Sequence, residues 1–144
     1  MPTILCIDDE TAALAVRKRV LESAGYHVVA ARSSEEGIRL FQSENLDLVL
    51  LDYWMSGANG MTTARELKRI NPLIPMIILS GLSQLPGETI GVVDRWIMKD
   101  EGPEYLLSAV SALLKSVTPS LQSAKSREAI GKNAEGKIGV SDGV

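Results

Sequence analysis

The chain has 144 residues, 45% of them hydrophobic and 23% charged, with a formal net charge of −3. These values are typical of one globular domain, and the acidic balance argues against a nucleic-acid-binding surface. The single cysteine, Cys6, excludes a disulfide framework, and its apolar neighbours predict a buried, inert thiol. No apolar run is long enough to span a membrane and no leader-like segment begins the chain, so we expect a cytoplasmic protein.

Short apolar runs alternate with stretches of helical periodicity along residues 3–117. A short, unbroken apolar run between charged or turn-forming residues is typical of a strand that is buried on both faces. Apolar residues spaced three or four apart predict helices instead. We predict strands 1 to 5 at residues 3–7, 27–31, 47–51, 76–79 and 94–98.

The predicted helices follow the strands one by one. Helix 1 covers residues 11–24, helix 2 begins at a capping box at residues 33–36, helix 3 covers residues 60–70 and helix 5 begins at Pro103. Helix 4, within residues 82–93, should be short and weak because that stretch contains one proline and two glycines. In helix 1 the predicted buried residues are Ala13, Val16, Val20 and Ala24, and the predicted solvent face includes Arg17, Lys18 and Glu22.

Five strand–helix alternations with fully apolar strands predict an α/β fold with a parallel sheet covered on both faces. Right-handed crossovers then give a three-layer α/β/α sandwich, which we expect to have the flavodoxin-like strand order 2-1-3-4-5. This domain should end near residue 118. Residues 119–144 are rich in Ser, Gly, Lys and Ala and contain no aromatic residue, which predicts a flexible or disordered tail.

Polar residues follow the predicted strands where each one ends. In a parallel sheet these ends share one edge, and with the expected strand order they converge on a single crevice. They are Asp8 and Asp9 after strand 1, Asp52 after strand 3, Ser80 after strand 4 and Lys99 after strand 5. Each pair of carboxylates ~5 Å apart repels by about 3 kcal/mol at an effective dielectric of ~20.

Cations should relieve this repulsion. Lys99 supplies one charge, and we expect a hard divalent ion with oxygen ligands, Mg²⁺, to supply the rest. Such a site suits a phosphate ligand, and an Asp carboxylate can attack phosphorus to form an acyl phosphate. Ser80 can then hydrogen-bond one phosphoryl oxygen while Lys99 neutralises another.

These residues resemble the receiver domain of two-component response regulators, over about residues 3–117. The resemblance rests on four segments in order: IDDE, LLDYWM with a following glycine at residue 60, ILSG and WIMK. It implies that Asp52 is the phospho-acceptor. It also implies that Ser80 is the switch hydroxyl, that Lys99 pairs with the phosphate, and that Trp96 occupies the position of the switch aromatic residue.

The same resemblance implies a ligand set for Mg²⁺. Asp9 and Asp52 would bind the ion directly, the backbone carbonyl of Trp54 would be the remaining protein ligand, and Asp8 would act mainly through water. We further expect the side chains of Tyr53 and Trp54, which directly follow Asp52, to be partly exposed.

The sequence departs from the family pattern in the loops. Ser56 stands where a proline often follows methionine, and Asp100 follows Lys99 where the family usually has a proline, often in cis. Because a cis bond before a residue other than proline costs ~3 kcal/mol, we expect Lys99–Asp100 to be trans. Trp96 is also bulkier than the usual Tyr or Phe.

The function implied is a phosphorylation-controlled signalling module of the stand-alone, single-domain type. It would accept its phosphoryl group from a histidine kinase or a histidine phosphotransfer protein and would promote only its own phosphorylation and dephosphorylation, with no separate substrate. The surface of helix 4, strand 5 and helix 5 would then change and control protein–protein contacts with an unknown output target. A homodimer would form through the same surface, and we expect neither nucleic-acid nor membrane binding.

Three other functions agree less well with the residues. A phosphatase of the haloacid-dehalogenase type needs a second Asp two residues after its nucleophile, where Trp54 follows Asp52 and Glu10 follows Asp8. A nucleotide- or flavin-binding domain would have a G-x-G-x-x-G segment after strand 1, where acids stand instead. An interaction domain that never binds phosphate would not need all five site residues.

Overall fold

Five strands with mostly apolar side chains form the centre of the molecule. The computed structural model describes residues 1–55, 58–81 and 91–116. All neighbouring strands of the sheet pair in parallel, in the order β2-β1-β3-β4-β5. The strands are β1 (Thr3–Ile7), β2 (His27–Ala31), β3 (Leu48–Asp52), β4 (Met76–Ser80) and β5 (Arg95–Met98). The predicted five-stranded parallel sheet and its order are confirmed.

Helices cover both faces of this sheet, so the predicted three-layer sandwich is confirmed. One buried cluster joins the sheet to Phe41 of α2 and Leu67 of α3. The other joins it to Leu21 of α1 and Val110 of α4. The described helices are α1 (Thr11–Ser23), α2 (Ser34–Ser43), α3 (Gly60–Ile70) and α4 (Pro103–Ser116). Helix α4 is the predicted helix 5, and the predicted helix 4 falls mainly on residues 82–90, outside those described.

Side-chain caps begin two of the helices. The hydroxyl of Ser33 accepts the backbone N–H of Glu36 at 3.1 Å, and the Glu36 carboxylate accepts the backbone N–H of Arg32 at 2.8 Å. Asn59 Oδ1 accepts the N–H groups of Met61 and Thr62 at 2.9 and 3.2 Å. These bonds satisfy N–H groups that have no partner within their helix, which confirms the predicted starts of α2 and α3.

The predicted buried face of helix 1 was wrong. Leu14 and Leu21, seven residues apart, are the buried residues of α1, whereas Val16 is 60% exposed. The two leucines present more apolar area to the sheet than the alanines and valines of the predicted stripe, so they determine how the helix is rotated. This rotation also moves Arg17 away from the solvent face, where it had been predicted, to a half-buried position.

Met1–Leu114 forms one compact unit. Residues 117–144 lie outside the described part of the chain, so the boundary near residue 118 and the disordered tail stay predictions. Within the described residues, no helix has both the length and the apolar character needed to cross a bilayer.

The rotation of α1 can be tested by truncating one residue from each candidate face. Leu21 is fully buried, so Leu21→Ala should lower the free energy of unfolding by about 2–5 kcal/mol, through lost burial and the cavity it leaves. Val16→Ala, in the same helix, should change it by less than about 0.5 kcal/mol. Urea denaturation followed by circular dichroism measures both, and a larger loss for Val16→Ala would restore the predicted face.

Candidate functional site

The centre of the site is a contact between two residues that lie 47 positions apart in the chain. Asp52 is the last residue of β3 and is 2% exposed, and Lys99 directly follows β5. Nζ of Lys99 lies 2.7 Å from Oδ1 of Asp52. This is an ion pair by distance, although Oδ1 has no partner in good hydrogen-bond alignment within the described residues. The predicted convergence of Asp52 and Lys99 is confirmed.

Two further carboxylates lie beside Asp52. Ile7, the last residue of β1, pairs with Leu51 of β3, so the residues that follow β1 reach the level of Asp52. One carboxylate oxygen from each of Asp8, Asp9 and Asp52 lies within 4.8 Å of the others. Asp8 is fully buried. A set of carboxylate oxygens this close is suited to a hard divalent cation.

A second cation, Arg17 of α1, contacts this acidic cluster, and the sequence analysis missed it. Its guanidinium NH1 donates to Oδ2 of Asp8 at 2.6 Å. The other oxygen, Oδ1, accepts the backbone N–H of Glu10 at 2.9 Å. The sequence did hold a signal for this contact. Three acids and only one lysine were predicted at the sheet edge, so a further positive charge was to be expected there.

The surroundings of Asp52 have opposing effects on the pKa of its carboxyl group. Burial raises the pKa of the Asp52 carboxyl above its usual value, and the negative charge of Asp8 raises it further. The short contact with Lys99 and the positive charges of Lys99 and Arg17 oppose this rise. The net direction is upward, so ionised Asp52 is destabilised in the folded protein when no further cation is present.

Ser80 lies at the same edge of the sheet as Asp52. It is the last residue of β4, 1% exposed, and its neighbour Leu79 pairs with Asp52. The backbone N–H of Lys99 donates to the Ser80 carbonyl at 2.7 Å. Ser80 and Lys99 are therefore joined through the backbone next to the acidic cluster.

Three aromatic side chains form a row beside the cluster. The ring of Tyr53 packs edge-on against Trp54, with centroids 5.0 Å apart, and lies 5.4 Å from the ring of Trp96 in β5. Trp54 is 59% exposed, as expected, but Tyr53 is 5% exposed, so its predicted exposure was wrong. Tyr53 is buried because it belongs to the apolar core on the α2–α3 face of the sheet and also packs on both tryptophans. Nε1 of Trp96 is buried and has no hydrogen-bond partner in the described part of the chain.

Gly60 lets the loop after β3 return against the backbone of Asp52. A Cβ atom at position 60 would lie 2.7 Å from the carbonyl oxygen of Asp52 and 2.9 Å from Cα of Tyr53, closer than real Cβ contacts. The Gly60 N–H donates to the Tyr53 carbonyl. Glycine is therefore required by space here, since any side chain would push the backbone of Asp52 out of place.

Two loop positions, Asp100 and Ser56, were noted as departures from the family pattern. The Lys99–Asp100 bond is trans, as expected, and no cis bond occurs among the described residues. Ser56 lies outside those residues. The thiol of Cys6 is buried as predicted, and burial raises its pKa to about 12, which keeps it protonated and unreactive.

Comparison with known proteins identifies similar chains. The family model described as the response regulator receiver domain matches residues 4–111. Transcriptional regulatory protein GlrR of Escherichia coli is 31% identical over 130 residues, which cover 88% of this chain and 29% of GlrR. The phosphate regulon regulator PhoB of Pseudomonas aeruginosa is 30% identical over 81% of this chain and 53% of PhoB. The chain thus spans about half or less of these relatives.

Solved structures show the same fold. A CheY-like response regulator receiver domain protein from Methanospirillum hungatei has a TM-score of 0.78 and 28% identity, covering 81% of this chain and 96% of that one. The response regulator TrrA from Thermotoga maritima, solved with Mg²⁺-BeF, has a TM-score of 0.74 and 30% identity. The match covers 78% of this chain and 99% of TrrA.

The raised pKa of Asp52 predicts how its removal affects stability in metal-free buffer. Between the unfolded and folded pKa values the native state binds more protons, so wild-type stability falls as pH rises through that range. Asp52→Asn lacks this loss, so it should be more stable than wild type at neutral pH, with the gap closing as pH falls towards 4.

Thermal melts in EDTA across this pH range measure the gap. Asp100→Asn, which removes an exposed carboxylate from the neighbouring loop, is the control and should follow wild type at every pH. A neutral-pH melting temperature for Asp52→Asn at or below that of wild type would contradict the expected direction.

Proposed function

Because this chain belongs to the response regulator receiver family, whose model matches residues 4–111, we propose that Asp52 accepts a phosphoryl group in two-component signalling. The donor would be a histidine kinase or a histidine phosphotransfer protein. The observation that carries this proposal is the 2.7 Å contact between Lys99 Nζ and the buried Asp52 carboxylate, beside two further acids. The contact holds an amine where the oxygens of a phosphoryl group on Asp52 would need a positive charge.

The donor set fits Mg²⁺. Asp9 and Asp52 would bind the ion through their carboxylates and Trp54 through its backbone carbonyl. Asp8 would act mainly through water, a role supported by the two donors that its oxygens already engage, from Glu10 and Arg17. When bound, the ion would neutralise negative charge on the phosphoryl oxygens.

The transfer itself needs little from the protein beyond position and charge. One carboxylate oxygen of Asp52 attacks phosphorus, and a new O–P bond forms as the P–N bond to the donor imidazole breaks. The electron pair stays on the imidazole nitrogen, which takes a proton from solvent. Lys99, with 35% of its side chain exposed, moves from the carboxylate to a phosphoryl oxygen. Attack by water on phosphorus later releases phosphate and restores Asp52.

Ser80 and Trp96 would relay the modified state. The hydroxyl of Ser80 would bind a phosphoryl oxygen, which would draw the end of β4 towards Asp52. Trp96 would respond as the switch aromatic residue, a role supported by its packing on Tyr53 and by its buried, unpartnered Nε1. The surface of predicted helix 4, β5 and α4 would then change and control contacts with an output protein, or with a second copy, in the cytoplasm.

Phosphorylation can be tested with a small donor. Incubation with Mg²⁺ and acetyl phosphate should add the mass of one phosphoryl group to the intact protein and change Trp54 and Trp96 fluorescence. Asp52→Asn should show neither change, whereas Asp100→Asn should behave like wild type. Lys99→Met should retain Mg²⁺ binding but lose the fluorescence response, because the amine would no longer follow the phosphoryl group.

Two results would overturn the proposal. One is the absence of a mass increase in wild-type protein at saturating donor and Mg²⁺. The other is an equal increase in Asp52→Asn, which would place the phosphoryl group on a different residue.

A further inference from the structure

The acidic cluster has its own resident cation in Arg17. Three carboxylates meet at the sheet edge, where Lys99 contacts Asp52 and Arg17 contacts Asp8. The formal charge of this group is −1 with Arg17 and −2 without it, counting Asp8, Asp9, Asp52, Lys99 and Arg17. The charge that attracts a divalent ion is therefore reduced by a residue of the protein itself.

The geometry makes this contact a fixed part of the site. The Asp8 carboxylate has 0% exposure and the Arg17 side chain 14%, so water screens their 2.6 Å pair only weakly. Arg17 lies in the middle of α1, a helix anchored to the sheet by the buried leucines Leu14 and Leu21. Its positive charge also acts beyond Asp8, because it opposes the rise in the pKa of Asp52.

The Arg17 side chain also lines an open space. It lines a cavity of about 330 Å³ between α1 and α4, together with Lys99 and the partly exposed start of α4. A cation that entered the acidic cluster would therefore meet a guanidinium with open space beside it. Either outcome, leaving Asp8 or staying beside the new ion, has an energetic cost.

We propose that Arg17 is a positioning residue that holds Asp8 in the metal-free protein and weakens Mg²⁺ binding. This inference rests on the proposed function for the presence of a metal site. A water molecule on the ion would share the Asp8 carboxylate with the Arg17 guanidinium, which already donates to Oδ2. Repulsion between a divalent ion and a unit charge ~7 Å away, even at the dielectric of water, corresponds to roughly tenfold in a binding constant.

The test compares Mg²⁺ affinity in variants by isothermal titration calorimetry at constant ionic strength. Arg17→Leu should bind Mg²⁺ roughly tenfold more tightly than wild type. Arg17→Lys keeps the charge, and Arg19→Leu removes the same charge from the exposed face of the same helix. Both controls should stay within about twofold of wild type, Arg17→Lys because the charge is kept and Arg19→Leu because an exposed charge is screened by salt.

Stability gives a readout that does not depend on phosphorylation. In EDTA, Arg17→Leu should melt at a lower temperature than wild type, because Asp8 is then a buried charge without a cation. Saturating Mg²⁺ should raise its melting temperature more than it raises that of wild type, because stabilisation by a ligand grows with the logarithm of its affinity. Arg17→Gln, which keeps a hydrogen-bond donor, replaces Arg17→Leu if circular dichroism shows that the latter is unfolded.

The outcomes separate this inference from the proposed function. Equal Mg²⁺ affinities of wild type and the folded, neutral variant would overturn the role of Arg17 and leave phosphorylation of Asp52 untouched. Weaker binding in the neutral variant would also overturn it, since Arg17 would then help to build the site. If neither protein binds Mg²⁺, this inference fails together with the proposed metal site.

Discussion

Repulsion among three carboxylates is the constraint on which the rest of the site depends. Oxygens of Asp8, Asp9 and Asp52 lie within 4.8 Å of one another, and two of these residues are buried. At such distances each pair repels by about 3 kcal/mol at an effective dielectric of ~20, so the native state can hold them only with cations at hand. Lys99 and Arg17 approach from β5 and α1 to supply them. The remaining negative charge suits the cluster to the divalent ion proposed above.

The fold tolerates the repulsion among the carboxylates because the sheet has an apolar, closely packed core. Leu48, Val49, Leu50 and Leu51 of β3 are at most 1% exposed, and each contacts one of two core clusters on opposite faces. Strand register then determines which residues meet at the edge: Ile7 pairs with Leu51, and Asp52 pairs with Leu79. The packing of the strands therefore determines where the charged groups lie. The stability of the apolar core offsets the repulsion among the carboxylates at the edge of the sheet.

The sequence predicted those parts of the structure that depend on local pattern. Apolar runs identified the strands, and parallel order placed Asp52 and Lys99 together, because strand ends share an edge whatever the helices do. The rotation of α1 was not predictable in this way, since alanines, valines and leucines recur on two overlapping faces and packing chose between them. The position of Arg17 follows from that rotation. The burial of Tyr53 likewise depends on two rings, one of them 43 positions further along the chain.

Side-chain and backbone contacts also connect Asp52 and its neighbour Tyr53 to β5. The Gly60 N–H holds the Tyr53 carbonyl, one residue from Asp52, and the Tyr53 ring packs on Trp96 of β5. The Lys99 amine contacts Asp52 while its backbone is bonded to Ser80. A group added to Asp52 can shift the structure only if it interacts differently with two arrangements of these contacts. Lys99 would interact differently in the two arrangements, because its partner would change from the Asp52 carboxylate to a phosphoryl oxygen. Trp96 could change its position as well, because no hydrogen bond within the described residues fixes its Nε1. In the proposed function, β3 and β5 would therefore both hold the charge and transmit its effect.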